Sequence, residues 1–71
     1  MKIGFLGAGE MGGAIIKGLL NYGSYRSADI LASVHTEKSA RDLSSRFNIT
    51  ACTDNARVIA QADVLIIAVK P

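Results

Sequence analysis

The run Gly7-Ala8-Gly9-Glu10-Met11-Gly12 spaces three glycines as G-x-G-x-x-G. In this pattern, between a buried strand and the first turn of a helix, glycines can seat an anionic pyrophosphate. Gly7 allows a tight turn off the strand. Gly9 has no Cβ, so backbone can approach phosphate closely. Gly12 lets the helix pack hard against the strand. A helix starting near Gly9 to Met11 aims free N–H groups and the positive end of its dipole at the anion. The bland alternative is a glycine-rich turn in some other α/β scaffold. The pattern begins close to the N-terminus, follows the apolar Lys2–Leu6 and precedes an apolar helix, which favours the phosphate reading.

A second group, Ser33-Val34-His35-Thr36, falls where NAD-binding chains usually carry an acidic residue, about 20 residues beyond the glycines. No carboxylate stands there, and Glu37 lies one step further on, in a helix start. A carboxylate repels a 2′-phosphate. The hydroxyls of Ser33 and Thr36, with His35, helix-start N–H groups and a nearby Lys38 or Arg41, would accept one. The expectation is NADPH (NADP) in preference to NADH, with NADH possible. Each residue also has a plain structural reading. Thr36 can be only a helix cap, Lys38 and Arg41 only a solvated helix face, and His35 only a surface loop residue.

Strands alternating with helices must position these groups. Lys2–Leu6 reads as a strand. Met11–Tyr22 reads as a helix, with Met11, Ala14, Ile15, Gly18, Leu19 and Tyr22 at helical spacing, stopped by Gly23 and Ser24. Asp29–Ser33 is a second strand. Thr36 caps a helix over Glu37–Phe47, whose stripe is Ala40, Leu43 and Phe47, with Lys38, Arg41, Asp42 and Arg46 on the wet side. Asn48 ends that helix in the left-handed conformation. Ile49–Cys52 is a short third strand. Thr53 or Asp54 caps a third helix to about Gln61. Val64–Val69, a continuous run of mostly branched apolar residues, reads as a strand buried on both faces. The fold expected is α/β: a partial Rossmann-type doubly wound parallel sheet with strand order 3-2-1-4. The chain stops straight after its most apolar strand, so it is expected to be truncated before a second domain. The alternative is that two copies pair through that edge. Residues 1–71 are then the N-terminal part of an NAD(P)-binding domain.

Composition sets limits. At 71 residues and a formal net charge of +2, with Lys and Arg scattered, the chain gives no sign of nucleic-acid binding. The single cysteine, Cys52, excludes an internal disulfide and a multi-cysteine zinc site, and reads as a small buried residue. No metal site is expected. With neither a signal-peptide pattern nor a run of about 20 apolar residues, a soluble, cytoplasmic protein without membrane partners is expected.

Three segments resemble one family. Ile3-Gly4-Phe5-Leu6-Gly7-Ala8-Gly9-Glu10-Met11 resembles the N-terminal signature of pyrroline-5-carboxylate reductases. So does Ala32-Ser33 closing the second strand, with Asp54-Asn55 at the third helix. Asp63-Val64-Leu65-Ile66-Ile67-Ala68-Val69-Lys70-Pro71 is closely similar to the family's fourth strand. The resemblance runs over all 71 residues, and the Ala68–Pro71 ending combined with Asn55 is its selective part. It implies an oxidoreductase of proline biosynthesis that reduces the small molecule 1-pyrroline-5-carboxylate to L-proline. It implies that Leu6, Gly7, Gly9, Glu10 and Met11 surround the pyrophosphate. Ser33, Val34, His35 and Thr36 would hold the adenosine ribose and 2′-phosphate, and Asn55 the adenosine side. Ala68, Val69, Lys70 and Pro71 would run under the nicotinamide half. It also implies a homo-oligomer at full length, with the proton donor supplied beyond Pro71, so no catalytic residue is assigned among these 71. Two departures stand out. Glu10 replaces a neutral amide common in the family, and the basic residue that often follows the second strand is displaced to His35, Lys38 or Arg41.

Two other readings stay open at this point. One is another enzyme of the 3-hydroxyacid or 6-phosphogluconate dehydrogenase-like group, which shares the glycine turn. The other is a non-catalytic nucleotide-sensing module.

Overall fold

The computed structural model describes residues 1–8, 10–23 and 25–67; the side chains of Glu10 and Met11 also lie outside the described part. Four strands and three α-helices alternate along it: β1 (Ile3–Leu6), α1 (Glu10–Tyr22), β2 (Ile30–Ser33), α2 (Glu37–Phe47), β3 (Thr50–Cys52), α3 (Asn55–Gln61) and β4 (Val64–Ile67). A short 3-10 turn, Ser27–Asp29, leads into β2. The strands form one parallel sheet in the order β3-β2-β1-β4, as the alternation predicts. Their register aligns Leu6 with Ser33 and Ile67, and Ser33 with Cys52. These four residues form one row at the carboxyl ends of the strands.

The core lies around β1 and β2. Ile3, Phe5, Ile16, Ile30, Ala32, Val34, Ala40, Leu43 and Ile49 are buried together. α2 behaves as its pattern predicts: Ala40 and Leu43 are buried, Phe47 packs on the core, and Arg46 sits over the Phe47 ring, 4.9 Å from its centroid. Thr36 caps α2 by accepting from the Ser39 N–H at 3.1 Å, and Asn48 closes it at φ 57°. α1 corrects the sequence reading. Its buried residues are Gly12, Gly13 and Ile16, while Ala14, Ile15 and Gly18 are exposed and Tyr22 is 81% exposed. The doublets Ile15-Ile16 and Leu19-Leu20 make two stripes equally apolar. Only contact with the sheet chooses between them.

α3 lies close on β1. A Cβ built on Gly4 would meet Ala62 Cβ and Val58 Cγ1, both at 2.7 Å. Gly4 therefore sets the distance between helix and sheet. β4 differs from expectation: Val64, Leu65 and Ile67 are exposed, because β1 is its one strand neighbour among the described residues. Cys52 is half-buried, with its Sγ 3.5 Å from the Asp54 carbonyl oxygen. Among the described residues no helix is long and apolar enough to cross a membrane, and no group of three or more His, Cys, Asp or Glu could hold a metal ion.

Candidate dinucleotide site

A cleft of about 170 Å³ opens at the carboxyl ends of β1, β2 and β3. It is lined by Leu6, Gly7, Ser33, Val34, His35, Thr53 and Asn55. Each wall follows from local structure. β1 delivers Leu6 and then turns at Gly7, whose φ of 72° lies in the left-handed region that suits glycine. The Ala8 N–H donates to the Ser33 carbonyl at 2.9 Å, which ties the turn to the end of β2. The Val34 N–H donates to the Cys52 carbonyl at 2.9 Å, carrying the ladder one residue past β2. Asp54 caps α3 by accepting from the Ala56 N–H at 3.0 Å, and so fixes Asn55 at the first helical position.

The predicted site residues divide into three sets. Leu6, Gly7, Ser33, Val34, His35 and Asn55 come together around one cleft. Gly9 and Ala68, Val69, Lys70 and Pro71 lie outside the described residues, and of Glu10 and Met11 the structure places only the backbone, in the first turn of α1. Thr36 alone makes the third. Thr36 does not line the cleft, and its hydroxyl oxygen is spent on the α2 cap, where it also donates to Ser39 Oγ at 3.0 Å. Ser33 reaches the cleft, but its hydroxyl is turned inward. At 1% exposure it is the one buried polar side chain among the described residues. It accepts from the Gly7 N–H at 3.4 Å, donates to Asn55 Oδ1, and lies 3.4 Å from the Phe5 carbonyl oxygen. Val34 is buried and contributes an apolar wall. Among residues 33–36, His35 is the exposed one that lines the cleft.

Thr53, which the sequence offers only as a cap, also lines the cleft. Its hydroxyl donates to Glu37 Oε1 at 3.3 Å, so a carboxylate stands one side chain behind the cleft wall. The available signal was topological: β3 adjoins β2, so the residue after β3 faces the residues after β2.

Among the described residues no carboxylate lines the cleft itself. A left-handed glycine, a helix N-terminus just beyond it and a wall with no acidic group among the described residues suit an anionic or hydroxyl-bearing ligand. Whole-ligand pockets run from about 300 Å³ upward, so a cleft of this volume has room for only part of a large ligand.

Residues 2–71 match the family described as NADP oxidoreductase, coenzyme F420-dependent. The chain belongs to this family. Its domains are NAD(P)-binding oxidoreductase domains. Along its whole length the chain is similar to the N-terminal part of pyrroline-5-carboxylate reductases, as the sequence resemblance implied. It is 43% identical to that of Methanosarcina acetivorans, over 99% of this chain and 26% of the relative. It is 36% identical to that of Escherichia coli over 99% and 26%. The solved pyrroline-5-carboxylate reductase of Coxiella burnetii superposes with a TM-score of 0.89 at 28% identity, covering 99% of this chain and 26% of that one. The chain therefore spans about a quarter of the length of the curated relatives it matches.

Proposed function

We propose that residues 1–71 are the N-terminal part of the dinucleotide-binding domain of a pyrroline-5-carboxylate reductase, acting on the small molecule 1-pyrroline-5-carboxylate with NADPH preferred over NADH. The single observation that carries the reading is the row at the carboxyl ends of the strands. Leu6 with its Gly7 turn, Ser33 and Asn55 converge there on one cleft, in the order β3-β2-β1-β4. The family and the whole-chain likeness to reductases support the choice of reaction.

When bound, a reduced nicotinamide would supply a hydride to the C=N carbon of the pyrroline, and a proton delivered to the ring nitrogen from beyond these residues would complete L-proline. The residues of this chain bind and orient. Gly7 and the start of α1 receive the pyrophosphate, together with Gly9 and the backbone of Glu10 and Met11. Val34 gives the adenosine half an apolar wall, His35 an open polar contact and Asn55 an amide. The family resemblance assigns residues 68–71, which lie outside the described residues, to the nicotinamide half. The preference for NADPH rests on the cleft wall, which carries His35 and, among the described residues, no carboxylate. A homo-oligomer at full length and a cytoplasmic location belong to the same proposal.

Calorimetric titration of the chain with NADPH and, separately, with NADH at low salt tests it. Tighter binding of NADPH is expected. Equal or tighter binding of NADH removes the assignment of a 2′-phosphate to His35 and its neighbours, and binding of neither removes the formed-site reading.

A further inference from the structure

Ser33 lines the cleft, yet its hydroxyl is turned away from it. A hydroxyl has one proton and two lone pairs. Here one lone pair takes the Gly7 N–H, and the proton goes to Asn55 Oδ1, a closer acceptor than the Phe5 carbonyl oxygen at 3.4 Å. One buried oxygen thus joins the turn after β1, the end of β2 and the start of α3, across 26 and 22 residues of sequence.

We propose that Ser33 is a positioning residue that acts through Asn55 and Gly7 rather than on the ligand. An asparagine amide carries an acceptor at one end and two donors at the other. With Oδ1 turned to Ser33, the NH₂ end of Asn55 is the one left to face the cleft. An NH₂ group held in that direction recognises acceptor oxygens, those of a phosphate or a ribose. Released from Ser33, the exposed Asn55 amide rotates freely and presents either end. The same hydroxyl gives the part-buried Gly7 N–H its partner and so steadies the turn beside the cleft. The effect on ligand binding rests on the dinucleotide reading; the latch itself does not.

A double-mutant cycle with Ser33→Ala and Asn55→Ala, read by NADPH titration, tests the coupling. Each single variant is expected to weaken NADPH about tenfold, and the double variant no more than Asn55→Ala alone by a factor of about two. Effects that multiply, or a Ser33→Ala chain that binds like the parent, overturn the proposal. A ligand-free measurement stands beside it. The Asn55 side-chain NH₂ resonances should be dispersed in the parent chain and collapse to free-amide positions in Ser33→Ala, with distant backbone resonances unmoved. Unchanged Asn55 resonances refute the latch, even if the parent chain binds no NADPH and the dinucleotide reading fails. Ser33→Cys keeps the buried volume with a much weaker donor, and is expected to lose the Asn55 dispersion in the same way should the alanine variant not fold.

Discussion

β2 and β4 flank β1 on opposite sides, are each four residues long and are each almost wholly apolar in composition. β2 is buried at every position, and β4 is exposed at three of four. Composition does not separate them; cover does. β2 lies between β1 and β3 and belongs to the same core as α2, whereas β4 has one strand neighbour among the described residues. The described cleft sits on the covered side. Positioning polar groups such as Ser33 and Asn55 requires neighbours that cannot move, and close packing supplies them.

The sharpest way to break this comparison is truncation of a matched pair. Ile30 is fully buried, and Ile30→Ala is expected to cost about 2–5 kcal/mol, much of the stability of a small domain. Ile67 is 70% exposed, and Ile67→Ala should fall within about 0.5 kcal/mol. Urea unfolding of the two variants reads both values. Equal costs would show that β4 is covered in solution as β2 is.

Gly4 sharpens the same contrast from inside β1. Gly4→Ala drives a methyl into Ala62 and Val58, on the α3 side, and is expected to destabilise by about 1–3 kcal/mol. Gly18→Ala, in α1 with nothing within 4 Å of the new Cβ, should instead stabilise by up to about 1 kcal/mol. Thermal melts of the pair should therefore move in opposite directions.

The smallest effects separate capping from recognition at the start of α2. Thr36→Ala should cost about 1 kcal/mol of stability through the lost cap and leave the ratio of NADPH to NADH affinity unchanged. Glu37→Gln should barely alter stability. Glu37 is exposed and bonded to Thr53 at the cleft, so removing its charge should raise that ratio about two- to fivefold at low salt. A ratio that follows Thr36 instead would return Thr36 to the site.

Much of the fold was legible because each signal was local. The Glu37–Phe47 helix, its Thr36 cap and its Asn48 stop match the observed element, and the alternation of elements implied the 3-2-1-4 sheet. The convergence of Leu6, Gly7, Ser33, Val34, His35 and Asn55 on one cleft also follows from strand order, since parallel strands bring their carboxyl ends to one edge. The buried stripe of α1 was not legible. Adjacent isoleucines and leucines offer two faces of equal hydropathy, and which one meets the sheet depends on the packing distance.

The glycine turn, the caps and the strand order were thus determined by the sequence itself, because they depend on φ preferences, short-range hydrogen bonds and the handedness of crossovers. Tertiary structure alone decided what Ser33, Thr53 and Glu37 do. A hydroxyl can face solvent, a ligand or a neighbouring strand at nearly equal intrinsic cost. Contacts 16 to 28 residues away turned Ser33 inward to Gly7 and Asn55, and joined Thr53 to Glu37.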